Sequence, residues 1–274
     1  MRAVLLLALG AASAAPGAGT ARPAARSGLS VTFLANEGVL LSAIDSAGTR
    51  KVLIDALFEP YDDYAVPADI TQAALRRASA PYDAVDLILV THRHGDHFHP
   101  GPAADHMRAN PRAVLVTSRQ VIDSLRGRVT PELLRSERIA ARTLPPGARR
   151  SLLVNGIPVH LLGLPHGGDR HTHVEHLGYV VDLGGRRVLH VGDAELSEAT
   201  LAPLRIDTMQ IDVALVPYWA LTDKDTRRIV ERWIRPRNVA AFHLGDGDAR
   251  TARSLRSAMP GAHVFQLPLE RVER

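Results

Sequence analysis

A chain of 274 residues with 46% hydrophobic and 23% charged residues can bury a sizeable core, which excludes a disordered or low-complexity protein. Its pI is near 9.8, but the formal net charge is only +4 and lysine occurs only at Lys51 and Lys224. The arginines are dispersed, with no aromatic-interleaved basic stripe, so nucleic acid is not an expected partner.

The chain has no cysteine, which excludes thiolate metal sites and disulfides. Met1-Arg2, the apolar run Ala3–Leu9 and the small residues Ala12-Ser13-Ala14 have the form of a secretory signal over residues 1–15. The run is too short to span a bilayer, so no stable membrane span is expected, and the protein is expected in a periplasm or the medium. Residues 16–27, rich in Ala, Gly and Pro, read as a linker, leaving 28–274 as the folded domain.

Leu29–Leu34, Gly38–Ile44 and Lys51–Asp55 alternate as strands of an antiparallel meander, with a turn at Ser46–Thr49. Asp55 ends an apolar strand, where a carboxylate either braces a neighbouring histidine or meets solvent. Tyr61–Tyr64 reads as an irregular loop, and Ile70–Ala78 as a helix before the branched run Ala84–Val90, a buried strand.

That strand runs into Thr91-His92-Arg93-His94-Gly95-Asp96-His97, four metal-ligand side chains within six residues. His92 and His94 alternate, so in extended backbone both reach the same side. Gly95 permits a sharp turn that presents Asp96 and His97 in another direction, so one motif feeds two metal positions. Imidazole and carboxylate suit two divalent ions, zinc first, with manganese, iron or nickel as substitutes.

Beyond the motif, helices are predicted at Pro100–Asn110, Ser118–Leu125 and Pro131–Leu134, with a strand at Ala113–Val116. After the break at Leu144–Gly147, strands resume at Ser151–Val154 and Ile157–Leu162, and Gly178–Leu183 with Arg187–Val191 forms a hairpin. Two similar runs without a linker fit two sheets packed face to face and covered by helices outside.

A single heptapeptide cannot complete two metal sites, so further ligands must come from later strand ends. His166, Asp193 and His243 each leave a strand in the second half. His171, His173 and His176 share the loop of His166 and compete with it, or line a substrate cleft. His99 reads as a rim or bracing residue, and His106, His160, His190 and His263 as structural. Tyr218 and Trp219 follow the strand Val213–Val216 and either contact substrate or pack in the core. Thr222 is predicted to open a helix, with Asp225 three positions on and Ile229, Val230 and Trp233 as its buried stripe.

The order of these motifs resembles the metallo-β-lactamase superfamily, whose His-x-His-x-Asp-His signature matches His92, His94, Asp96 and His97, and the resemblance runs from about Leu29 to Leu267. It implies a four-layer αββα sandwich of the α/β (α+β) class with a dinuclear centre at one edge. It also implies His166 as third ligand of the first ion, Asp193 as bridge, and Asp96, His97 and His243 on the second. Leu164-Pro165-His166-Gly167-Gly168 and Ala194 depart from the Gly-His-Thr and Thr of many members. With Glu175–Val180, they look more like the branch that includes ascorbate-6-phosphate lactonase and N-acyl phosphatidylethanolamine phospholipase D.

The expected activity is metal-dependent hydrolysis of an ester, lactone or phosphodiester bond in a small-molecule or lipid-like substrate. Asp96 orients the water and passes its proton on, and His171, His173, Tyr218 and Trp219 face the substrate. A β-lactam hydrolase and a non-catalytic metal-binding protein are the alternatives.

Overall fold

In a computed structural model, the described residues are 7–8, 28–46, 48–61 and 64–274. Except for Leu7 and Ala8, the predicted signal segment and linker lie outside them. The first run holds β1 (Leu7–Ala8), β2 (Ser30–Ala35), β3 (Gly38–Asp45), β4 (Gly48–Ile54), α1 (Asp69–Arg76), β5 (Leu87–Val90) and α2 (Pro100–Ala109). It continues through β6 (Val114–Thr117), α3 (Arg119–Ser124), α4 (Pro131–Arg135) and β7 (Ile139–Ala141). The second holds β8 (Arg149–Val154), β9 (Ile157–Gly163), β10 (Leu177–Leu183), β11 (Arg186–His190), α5 (Glu198–Leu201) and β12 (Val213–Pro217). It ends with α6 (Trp219–Thr222), α7 (Lys224–Ile229), β13 (Asn238–Phe242), α8 (Ala249–Ala258), β14 (His263–Val264) and β15 (Arg271–Glu273).

The strands form two sheets, ordered β15-β2-β3-β4-β5-β6-β7 and β1-β8-β9-β10-β11-β12-β13-β14. Strand periodicity explains why they stack. In β4 and β5, Val52, Ile54, Leu87 and Leu89 point between the sheets, where they meet Val188, Leu215 and Phe242 of the second. The alternate residues Leu53, Ile88 and Val90 point outward against Leu75, Met107 and Val121 of the helices. Leu189, Ala214, Val216 and Ala241 do the same against Leu201, Leu221 and Leu255 on the other side. Both faces of the central strands are buried, which is why they read as continuous apolar runs rather than alternating ones. The result is the predicted αββα sandwich.

Each half has the same kind of corner. Asp86 accepts from the backbone N–H of Lys51 at 3.1 Å and pairs with Arg50 and Arg112. Asp212 accepts from the N–H of Arg187 at 2.9 Å and pairs with Arg186 and Arg237. Each buried carboxylate locks the start of a parallel strand, β5 or β12, to the strand before it. The carboxyl ends of β4, β5, β11, β12 and β13 then open on one edge, where ligand sites of α/β sheets commonly lie.

Several predicted boundaries move. Ala84 is left-handed (φ 50°) and Asp86 serves the corner, so the predicted strand begins only at Leu87. The helix predicted from Thr222 is capped instead by Asp223, whose carboxylate accepts from Thr226 N–H at 2.8 Å; Thr222 closes α6. Leu7 and Ala8 pair with Leu153 and Leu152 at the edge of β8, so cleavage of a signal over 1–15 would leave β8 as the edge strand. No helix among the described residues is long and apolar enough to cross a membrane.

His106, predicted as structural, is buried on α2, and its Nδ1–H donates to Leu75 O of α1 at 2.6 Å. Burial lowers its pKa despite that bond. Because the folded pKa is depressed, the unfolded chain binds the proton first, and stability is lost as pH falls from about 6.5 towards the folded value. His106→Asn keeps a donor without titrating, so its unfolding free energy should fall less steeply below pH 6.5 than that of the wild type. Equal slopes in denaturant titrations across that window would count against this.

Candidate metal centre

The signature loop is built around Asp55, which the end of β4 presents in a left-handed conformation (φ 47°). Its carboxylate is fully buried and accepts from Thr91 N–H at 2.7 Å, Thr91 Oγ1–H at 2.6 Å and His97 Nδ1–H at 3.0 Å. Burial opposes this charge, but the bonds and charge of His97 and the Thr91 hydroxyl outweigh it and hold the carboxyl below its usual range. Asp55 thus braces a histidine, one of the two readings its sequence position left open.

The same device recurs around the site. His92 Nδ1 lies 3.0 Å from Thr91 Oγ1, His166 Nδ1 is 2.7 Å from Gly167 O, and His243 Nδ1 is 3.0 Å from Tyr64 Oη. With one ring nitrogen tied, each histidine turns its Nε2 to a common centre, as metal-binding imidazoles do. His92 Nε2 and His166 Nε2 approach His94 Nδ1 to 2.9 and 3.2 Å.

Asp193 joins the halves. It follows Gly192 (φ 59°), where a Cβ would fall 2.9 Å from Thr91 Cβ, so only glycine lets the two loops touch. Gly167 N–H donates to Asp193 O at 2.7 Å, which fixes the His166 loop against it. The carboxylate divides: Oδ2 lies 3.6 Å from His166 Nε2 and 3.9 Å from His92 Nε2, while Oδ1 lies 3.1 Å from His243 Nε2 and 3.4 Å from His97 Nε2.

Among the described residues, three groups of donor atoms lie within 4.8 Å of one another: His92, His94, His166 and Asp193; Glu37, His97, Asp193 and His243; and Glu37, Asp55 and His190. In the third, Asp55 already accepts three hydrogen bonds and both nitrogens of His190 are engaged, which leaves the first two to hold ions. The chemistry of the site fits a metal. His97 Nε2, His243 Nε2 and Asp193 Oδ1 are buried and have no hydrogen-bond partner among the described residues, a costly arrangement unless a cation sits between them. Burial lowers the pKa of His92 well below its ordinary value, that of His94 to about 4 and that of His166 below 6.5, leaving neutral lone pairs in the first group. Around His97 burial again opposes charge, yet Asp193 and Glu37 override it and raise the pKa well above 6.5. A field that favours a protonated imidazole there also favours a divalent cation.

Of the other predicted residues, Asp96 lies beside the second group, its Oδ2 3.6 Å from both His97 Nε2 and His243 Nε2 and held by Asn36 Nδ2–H at 3.1 Å. His171 packs its ring 4.9 Å from that of His94 and 4.7 Å from that of His166. His173 is exposed, and its carbonyl accepts from Gln120 Nε2–H. Trp219 packs against His243 at 4.8 Å between ring centres, and Tyr218 lies behind Trp219 at 5.3 Å. His99 caps α2, its Nδ1 accepting from Gly101 N–H. His176 is buried 5.2 Å from His92 between ring centres, and burial depresses its pKa to about 3.

Sequence reasoning missed Glu37 and Tyr64. Glu37 stood out only as a carboxylate between two apolar strands, and Tyr64 only as an aromatic in a loop. Tyr64→Phe should leave the fold intact while weakening metal binding in the His243 group by about tenfold, because the imidazole loses its orienting partner. Competition with a chromophoric chelator measures it; unchanged affinity would show that Tyr64 merely packs there.

A cavity of 250 Å³ adjoins the first group, lined among others by Arg142, Leu164, His166, Glu175 and Glu195. A larger groove of 470 Å³ between α1 and the outer face of β2–β4 contains none of the clustered histidines.

Residues 50–262 match the model of a beta-lactamase superfamily domain. The chain is 26% identical over 248 residues to a UPF0173 metal-dependent hydrolase of Thermus thermophilus, covering 84% of this chain and 93% of that one. Its fold is similar to that of the metallo-beta-lactamase fold protein YhfI from Bacillus subtilis (TM-score 0.57, 12% identity, 90% of this chain and 100% of that one). It is also similar in fold to CmlA, a diiron beta-hydroxylase from Streptomyces venezuelae (TM-score 0.56, 15% identity, 92% of this chain and 55% of that one). With this fold, a family match across the signature and the later ligand candidates, and relatives named for metal-dependent hydrolysis, the chain belongs to the beta-lactamase superfamily and is a metal-dependent hydrolase of the metallo-β-lactamase fold.

Proposed function

We propose that the protein is an exported hydrolase with a dinuclear centre that cleaves an ester, lactone or phosphodiester bond. The observation that carries the two-metal reading is the split of Asp193, whose two oxygens face two separate sets of imidazole nitrogens. His92, His94 and His166 would hold one ion, and His97, His243 and Asp96 the other, with Asp193 shared. Neutral imidazole and carboxylate donors favour zinc, while iron, manganese and nickel tolerate the same set.

Bound divalent ions supply Lewis acidity, polarising the oxygen of the scissile group and bringing the ionisation of a water molecule towards neutral pH. The protein's own part is orientation and proton handling. Asn36 fixes the Asp96 carboxylate at the mouth of the cluster, where it takes a proton from the attacking water and delivers it to the leaving atom. His171 and the 250 Å³ cavity contact one side of the substrate, and Trp219 with Tyr218 the other. The apolar part of that lining favours a small or lipid-like molecule.

Export rests on the sequence of residues 1–15; signal cleavage on expression in a secreting host, read by N-terminal sequencing, tests it. Metal-reconstituted protein on a panel of esters, lactones, phosphodiesters and a chromogenic β-lactam tests the activity. Turnover that depends on added metal and is confined to the first three classes supports the reading. Turnover of the β-lactam alone would replace it.

A further inference from the structure

Glu37 is the most buried carboxylate at the site that no hydrolytic role has used. It occupies the two-residue turn between β2 and β3, outside the residues 50–262 that match the family. Its backbone is held from several directions. Its carbonyl accepts from His190 Nε2–H at 3.0 Å, Asn36 O accepts from His243 N–H at 3.0 Å, and at Gly38 a Cβ would fall 2.8 Å from Asp55 O. A turn pinned this way has one direction in which to send its side chain, and Glu37 ends with no exposed surface.

Neither carboxylate oxygen of Glu37 has a hydrogen-bond partner among the described residues. Its closest basic atom is His97 Nδ1, 3.6 Å from Oε2, but that nitrogen already donates to Asp55 at 3.0 Å. Bracing His97 is therefore the task of Asp55, and Glu37 is left over. Its carboxylate belongs to the set of mutually close donors formed with His97, Asp193 and His243. A buried carboxyl group whose two oxygens both lack a hydrogen-bond partner is costly in either protonation state, so it persists only where something compensates it.

We propose that Glu37 is a direct ligand of the second metal ion, which makes the two positions chemically unequal. This rests on the two-metal reading above. The first position has three imidazoles and one shared carboxylate. The second has two imidazoles and the carboxylates of Asp96, Asp193 and Glu37. Oxygen-rich sites favour harder ions, so manganese or iron competes better with zinc at the second position than at the first.

The test compares wild-type protein with Glu37→Gln, each stripped of metal, then titrated separately with Mn2+ and Zn2+ against a competing chelator. Bound metal is counted by elemental analysis, and melting is followed with and without metal. The expected result is two sites in the wild type and, in Glu37→Gln, at least a tenfold weaker second site, with the larger loss for Mn2+. Metal-free Glu37→Gln should melt close to the metal-free wild type, because the amide keeps the shape of the side chain, while its gain on metal loading shrinks. A structural role would lower melting equally in both forms. Two wild-type sites with unchanged affinities in Glu37→Gln overturn the Glu37 assignment alone. A wild type that takes up no second ion overturns the two-metal reading and this proposal together.

Discussion

Asp193→Ala is expected to empty both metal positions and reduce turnover by on the order of 10³-fold or more, the largest effect of any single substitution. The magnitude follows from losing several kcal/mol of Lewis-acid stabilisation, since each 1.36 kcal/mol is worth about tenfold in rate. Removing His243 leaves the first group complete, whereas removing Asp193 takes an oxygen from each group at once. Elemental analysis should thus show a larger fall in metal for Asp193→Ala than for His243→Ala. Full retention of both ions in Asp193→Ala would disprove the bridge.

The second large effect falls on stability. Asp55→Ala deletes a carboxylate that accepts three hydrogen bonds at zero exposure, leaving Thr91 N–H and His97 Nδ1–H without an acceptor in a closed interior. A loss of about 3–5 kcal/mol is expected, the scale for breaking a buried charged pair. His97 also loses its orientation, so metal affinity at the second group should fall by about 10–100-fold. The folded carboxyl has a depressed pKa, so its contribution is complete above the unfolded value near 4 and vanishes as pH falls through the folded one. Chemical denaturation of the metal-free proteins at neutral pH separates the two effects. A change under 1 kcal/mol would mean that Asp55 is not the keystone of the loop.

These residues also show where the sequence was legible. His92, His94, Asp96 and His97 announce themselves because no other chemistry packs four ligands so tightly after a buried strand. His166, Asp193 and His243 were visible as polar residues at strand ends, and the sheets bring all three to the same edge. The two halves could be read from their continuous apolar runs. Glu37 was not legible: it lies 60 residues before His97, and nothing local distinguishes a turn glutamate facing water from one buried beside His97. Tyr64 depends in the same way on a contact 179 residues away, with His243. The short β7, β14 and β15 lack enough residues to show a period, and β15 exists through pairing with β2 at the far end of the chain. At Thr222, local capping chemistry favoured one residue while the chain used its neighbour Asp223, a one-position ambiguity that sequence spacing does not resolve.

The most direct test of the two-metal centre is elemental analysis of the purified, unchelated protein and of three variants. The wild type should carry about two transition-metal ions per chain. His166→Ala should lose the ion of the first group and nearly all turnover, while His171→Ala and His173→Ala keep both ions and change mainly KM. A wild type without restorable metal, or a His166→Ala protein that binds normally while His171→Ala empties the first group, would contradict the centre built here around Asp193.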